Sequence, residues 1–572
     1  MVISPGAKSE ALTRRAATDR FPPSALGFVL LSVVLLASIS VVVVLGTRLT
    51  FFNDDWYFLL QRPGLESHGG LDVLLAPHNS NLVFLTAGVY RLLVAIFGLG
   101  SQVPFRAVLA VTIALVGVFV FLLVSKRAGQ MMGLAFASIV VLLGAAWEDL
   151  LFFASVDLVG SLATGLAALW LLEREEPRRY LACFLLVCSV GFSNVGVPFA
   201  LGAGALLLLR RRLVDLWVAA VPLAVFGLWW AIEGNRQPSH LSAHNVEHLP
   251  RYLLDSLTSG LASLTGVSRG TVPDTYTRGR IVLGTVAVLL IVALVRGWRP
   301  RASVLVPMII AVSFWCLTGA SFTPGREAFA SRYQLIDVAL LLIIGADLLG
   351  STHLGRFGSS ALVVLTIAAV SSNVADRLTY GYRFLREQSQ FVKADLGALN
   401  IGRRLAPPNL WLVADIARNP YLSGVTAGRF FTETDAHGQV PVYTPQQIAT
   451  ASIGQRQGAD NVLALADRLT PVKTRMRLTS RSECARLRTA PNGPSSELSL
   501  HPGAWLLYQA DGPGLEIGVR RFAPPGSSAY IGFITPGLTE RMIVPPDAIS
   551  AEWKLSIKST TASAGGLHVC PV

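Results

Sequence analysis

Long stretches without a charge recur along the first two thirds of the chain. The first, Ala25 to Gly46, follows a polar, basic segment holding Lys8, Arg14, Arg15 and Arg20. Further apolar runs lie near 105–125, 131–147, 156–172, 180–192, 197–209, 214–232, 280–296, 302–319, 334–350 and 359–373. A helix needs about 20 mostly apolar residues to cross the hydrocarbon of a bilayer. The pattern therefore predicts a polytopic α-helical membrane domain of about eleven spans over 25–375. The first run is longer than a signal-peptide core and has no convincing cleavage site, so it is expected to be a retained span behind a tail at 1–24.

One apolar run, Asn81 to Gly98, is short and carries Tyr90 and Arg91 in its middle. Sidedness decides how to read it. If it does not cross, Lys126/Arg127, Arg174/Arg178/Arg179, Arg210/Arg211/Arg212, Arg296/Arg299/Arg301 and Arg356 all share the side of the basic N-terminus. That is the cytoplasmic side by the positive-inside rule. The run is therefore expected to be an interfacial or re-entrant helix, with Arg91 snorkelling or facing protein. The expected topology has a cytoplasmic N-terminus and outer loops that include 47–104, 233–279 and 320–333 in a cell membrane.

After Asn373 the apolar runs stop, and 376–572 reads as a soluble α+β region on the outer face. Residues 376–405 and 445–470 have helical character. Beyond about 500, short alternating runs (Ala504–Tyr508, Leu515–Val519, Ala529–Ile534, Trp553–Ile557) are separated by turn clusters such as Pro524-Pro525-Gly526-Ser527. Their spacing predicts a small β-sandwich. Cys484 precedes these strands and Cys570 lies in the last, a placement that suits a disulfide in an oxidising compartment. Two unpaired thiols are the alternative.

Composition agrees with the pattern. Of 572 residues, 52% are apolar and 15% charged, which excludes both a cytosolic globular enzyme and a disordered chain. The net charge of +13 is spread over loops and tails and does not point to nucleic acid. No phosphate-binding glycine loop or dinucleotide fingerprint is present, so a cytoplasmic nucleotide-sugar donor is disfavoured.

Candidate chemistry concentrates in the expected outer loops. Phe51-Phe52-Asn53-Asp54-Asp55-Trp56-Tyr57 sets two carboxylates among aromatics at the membrane surface. Such placement is expensive and tends to mark function; the alternative is a helix N-cap at Asn53 or Asp54. The same loop continues Ala76-Pro77-His78-Asn79-Ser80-Asn81 and ends its apolar segment with Phe97-Gly98, before Arg106 opens the next span. Here the chain resembles the GT-C superfamily of membrane glycosyltransferases, in particular actinobacterial members with a soluble C-terminal region. The likeness covers roughly the first 370 residues as architecture.

The resemblance implies transfer of a sugar from a polyprenyl-phosphate donor to a cell-envelope glycan, glycolipid or protein. It further implies an acidic base or acceptor-binding group at Asp54 or Asp55, with His78 in the same loop. A second acidic group would fall on Glu148, Asp149 or Asp157, whose alternative is interfacial anchoring beside Trp147. Arg326, Arg332 and Tyr333 lie in or beside the 320–333 loop. Outer arginines run against the topological bias, and a guanidinium fork suits a departing lipid phosphate. A rim arginine paired with Glu327 or a lipid headgroup is the alternative. His240, His244 and His248 share a helix face, and the last two fit H-x-x-E-H. With no further acidic ligand evident they read as a solvated face, with a role at an acceptor groove as the alternative, and no metal set is assigned. No cofactor is required, though a divalent cation is compatible with the chemistry. Two rival readings are a flippase for a lipid-linked glycan and a non-catalytic membrane scaffold.

Overall fold

In the computed structural model, the described residues are 25–61, 70–236, 241–266, 272–350, 355–412, 420–422, 424–469, 471–476, 484–488, 496–511, 515–546, 549, 551–559 and 566–571. Among them, eight helices are long and apolar enough to cross a membrane. They are Ala25–Gly46, Val103–Ala128, Gln130–Leu151, Phe153–Leu172, Leu213–Arg236, Thr275–Val295, Ala302–Ala320 and Phe357–Ile401. Each grows from one of the apolar runs read above. Two more of those runs form only 14-residue helices, Arg179–Phe192 and Gly196–Leu209. At 1.5 Å per residue each is about 21 Å long, short of the roughly 30 Å hydrocarbon. The run at 334–350 lies in Ser331–Leu349, a 19-residue helix that carries Arg332, Asp337 and Asp347. The ambiguous run forms the 14-residue helix Phe84–Phe97, also too short to span unaided.

The chain divides into two compact units. The first comprises 1–47, 68–89 and 103–383, and the second 48–67, 90–102 and 384–572. In the first, apolar helix faces meet in clusters such as Leu31, Phe121 and Ala137, and Leu82, Val190 and Trp229. Small residues let these helices approach closely. A Cβ added at Gly165 would stand 2.4 Å from the Phe199 ring.

The first unit also buries charge. Arg127, at the end of Val103–Ala128, donates to Glu173 through Nη2 and to Asp347 through Nε at 3.0 Å, and all three side chains are at most 8% exposed. Asp337 is buried within Ser331–Leu349 and accepts the Trp315 Nε1 proton at 2.7 Å. Such groups persist in apolar surroundings only where they are paired or bonded.

In the second unit, two S/T-x-x-Q boxes start helices Pro445–Ala449 and Ile453–Ala466. Thr444 and Ser452 each accept the N3 backbone N–H, while Gln447 and Gln455 reach back to the cap. Asp460 then ties the second of these helices to the strand region, accepting the backbone N–H groups of Arg521, Phe522 and Ala523 at 2.9 Å each.

The strands are β1 (Val472–Lys473), β2 (Ala485–Arg488), β3 (Glu497–Leu500), β4 (Trp505–Ala510), β5 (Leu515–Arg520), β6 (Ala529–Ile534), β7 (Thr539–Ile543), β8 (Trp553–Ser559) and β9 (Gly566–Pro571). They form two antiparallel sheets, ordered β1-β7-β4-β9-β2 and β3-β8-β5-β6. Leu515, Ile517 and Val519 are buried in strict alternation along β5, the period of a half-buried strand. A disulfide joins Cys484 to Cys570, fastening β9 beside the start of β2.

Candidate functional site

The acidic pair belongs to the second unit. Asn53 adopts φ 46°, a left-handed conformation that asparagine tolerates better than most residues, and turns the chain into the short helix Asp54–Trp56. Its side chain makes no cap hydrogen bond. Asp55 does the local bonding instead. It is fully buried, Oδ2 accepts the Phe52 N–H at 2.9 Å, and Oδ1 accepts the Tyr90 hydroxyl. Aromatic rings enclose the turn: Phe52 stacks on Tyr421 at 4.4 Å, Phe58 on Tyr90 at 4.8 Å, and Trp56 meets Phe430 edge-on at 6.1 Å. The Asn53 N–H also donates to the Tyr421 carbonyl at 2.9 Å. Asp55 is thus committed to holding the turn, whereas Asp54 is only half-buried. Sequence left the two equivalent; burial separates them.

Arg91, the residue that made the 81–98 run ambiguous, faces protein and stands 3.6 Å from Glu433. The helix ends at Gly98, φ +66°, where a Cβ would meet the His437 carbonyl oxygen at 2.4 Å, so both conformation and space call for glycine.

The remaining candidates lie in the first unit. Trp147, Glu148 and Asp149 open a short helix, Trp147–Leu151. Arg332, in the first turn of Ser331–Leu349, donates from Nε to Glu148 Oε2 at 3.2 Å. Asp149 is 1% exposed, with Glu148, Asp157 and Arg332 as its charged neighbours. Asp157 is half-buried and accepts the N–H of Leu158 at 2.6 Å. The fold brings Arg332 to Glu148, Asp149 and Asp157 from more than 170 residues away. A cavity of about 280 Å³ opens beside them, lined among others by Trp147, Glu148, Glu327, Arg332, Arg377 and Tyr380.

No family model matches this chain, and no curated protein or solved structure is similar to it. The site must be read from its own chemistry.

Arg377 and Tyr380 escaped the sequence reading. They follow the last apolar run, where the composition turns polar, and the π-helical stretch Asn373–Leu378 changes which face each side chain takes. Single-turn π-helices recur at functional sites, because one extra residue per turn shifts the register. The other face of the same segment lines an apolar groove of about 430 Å³ with Val374, Leu378, Thr379 and Tyr382, opposite Val41 and Val44 of the first span. Polar cavity and apolar groove thus share one stretch of helix.

Other candidates take structural positions. Arg326 donates to the Ser321 carbonyl at 3.3 Å and the Asn79 carbonyl at 3.1 Å, fastening two loops together. Among the described residues it makes no ion pair with Glu327, whose Oε1 accepts the Gly325 N–H at 3.0 Å. Tyr333 is 8% exposed and packs edge-on against Phe314 at 5.8 Å. His78 sits in a tight turn whose backbone closes from the Asn81 N–H to the His78 carbonyl at 2.8 Å, with Asn79 and Ser80 both at positive φ. Arg106 is buried and donates to the Leu151 carbonyl. His240 lies outside the described residues.

Proposed function

We propose that the protein is a membrane glycosyltransferase of GT-C type. It would transfer a sugar from a polyprenyl-phosphate donor to a cell-envelope glycan, glycolipid or protein, with about eleven spans, a cytoplasmic N-terminus and an outer C-terminal region. The observation that carries the reading is the cavity in which Arg332 and Arg377 stand with Glu148, Trp147 and Tyr380. Two guanidinium groups suit the oxygens of a phosphate, aromatic faces suit the apolar side of a sugar ring, and the apolar groove on the other face of the same helical segment suits an isoprenoid chain. Glu148 holds Arg332 in place until phosphate arrives.

In this reading Arg332 and Arg377 stabilise the departing phosphate. The acceptor hydroxyl loses its proton to a carboxylate, its oxygen bonds the anomeric carbon with inversion, and the bond from that carbon to the phosphate oxygen breaks. Polyprenyl phosphate is released. For the base, the resemblance to GT-C enzymes points to Asp54 or Asp55; Asp54 is half-buried, while Asp55 accepts the Tyr90 hydroxyl and the Phe52 N–H and holds the turn. No metal is needed for these steps.

The test is transfer by protein reconstituted in lipid, using labelled polyprenyl-phosphate sugars and envelope acceptors. Asp54→Asn or Asp55→Asn should abolish transfer while donor binding persists, and Arg332→Ala should weaken donor binding. If wild type binds donor and never transfers it, the glycosyltransferase reading is wrong. A second reading, translocation of a lipid-linked glycan, is favoured by the buried Asp337, because carboxyls inside membrane helices recur on transport paths. It predicts lipid-flipping activity that Asp337→Asn abolishes.

A further inference from the structure

The loop between spans at 233–279 contains a short helix, Ala243–Glu247, whose chemistry the glycosyl-transfer reading does not use. His244, Glu247 and His248 are exposed, and their ligand-capable atoms all lie within 4.8 Å of one another. The His244 and His248 rings stand 4.3 Å apart, as expected for side chains four residues apart on one helical face.

We propose that His244, Glu247 and His248 form a binding site for a divalent transition cation of the zinc class, with the remaining coordination positions open to water.

Three observations support it. First, His248 Nδ1 lies 2.8 Å from the His244 carbonyl oxygen. A carbonyl can only accept, so Nδ1 carries a proton, and in the neutral ring Nε2 keeps its lone pair. Metal-binding histidines are oriented in this way, the second ring nitrogen donating to a carbonyl or carboxylate. Second, the turn is anchored. Ser242 Oγ accepts the Asn245 N–H at 3.1 Å, and Asn245 Nδ2 donates to the carbonyls of Ala320 and Phe322 at 3.2 and 3.1 Å. Asn245 lies between the ligands in sequence, so the backbone that carries them is fixed. Third, Glu247 makes no ion pair among the described residues, which leaves its carboxylate available.

Around zinc, with ligands at about 2.0–2.1 Å, donor atoms stand about 3.3 Å apart. The side chains are exposed, so rotamer changes can close the remaining distance. Two imidazoles and one carboxylate match the His₂Glu set of open zinc sites, and nitrogen donors disfavour magnesium and calcium, which take oxygen.

The test uses the full chain, purified in detergent without a polyhistidine tag and stripped with chelator, then titrated with zinc chloride by calorimetry. One saturable site is expected. His244→Ala and His248→Ala should each weaken it by more than about tenfold, at least what loss of a supporting partner causes. His501→Ala, a change at another exposed histidine, should leave it unchanged, and a large excess of magnesium should not displace zinc. Equal melting temperatures for the variants would show that folding is intact. The proposal is overturned if wild type shows no saturable binding, if the His244→Ala/His248→Ala double variant binds like wild type, or if magnesium competes on equal terms.

Discussion

Arg127→Met should be among the most damaging single substitutions in the helical unit. The guanidinium is 8% exposed and satisfies two carboxylates, Glu173 and Asp347, besides donating from Nη1 to the Leu123 carbonyl at 2.8 Å. Methionine fills much of the volume, so the packing loss is small and the electrostatic loss dominates. Removing one partner of a buried ion pair costs about 3–5 kcal/mol, because the other charge stays desolvated and uncompensated. Here Asp347 keeps the Ser303 hydroxyl at 2.7 Å, which places the expected loss toward the lower end, about 3 kcal/mol. Unfolding in detergent micelles, followed by tryptophan fluorescence against denaturant, measures it directly. The triple variant Arg127→Met/Glu173→Gln/Asp347→Asn removes all three charges and should recover most of the stability, to within about 1 kcal/mol of wild type. A single variant within about 0.5 kcal/mol of wild type, the range of an ordinary surface change, would mean that the three groups are hydrated and the reasoning fails. So would a triple variant no better than the single.

Further tests address the other unit. Cys484 and Cys570 close a loop with a sequence separation of 86, for which chain entropy gives about 4–5 kcal/mol of stabilisation; reduction, or Cys484→Ser with Cys570→Ser, should lower its melting temperature clearly. Arg520 bonds both oxygens of Glu497 and holds that carboxyl below its usual range. This pair stabilises, by about 1 kcal/mol, at pH above the unfolded value of about 4.3. The contribution is lost as pH falls through the lower folded value, so Glu497→Gln should flatten the acid limb of the stability profile. Asp55→Ala should cost about 2–3 kcal/mol, leaving the Tyr90 hydroxyl and Phe52 N–H without their acceptor. Gly98→Ala should destabilise by at least about 1 kcal/mol through left-handed strain and the clash with His437.

The sequence alone determined the elements whose signals are local. The uncharged runs were bound to become helices, because an apolar segment has no other way to satisfy its backbone away from water. Alternation bounded by turn clusters marked the strands Leu515–Arg520, Ala529–Ile534 and Trp553–Ser559. Length was less legible at 180–192 and 197–209, where apolar composition continued but the helices stop at 14 residues. The end of the last apolar run at Asn373 likewise did not end the helix, which continues to Ile401.

Tertiary structure decided which polar residue does what. Asp54 and Asp55 are the same residue type one position apart, and only the packing of Phe52, Tyr90 and Tyr421 buries one and leaves the other half-open. Arg127 read as one of many positive charges flanking spans, yet it is paired with carboxylates 46 and 220 residues away. Arg377 gave no signal beside Arg332, because a π-helical register shift and the fold bring them to one cavity. A charge declares its sign in the sequence, but its partner and its solvation are set by distant segments, and those fix whether it anchors, binds or reacts.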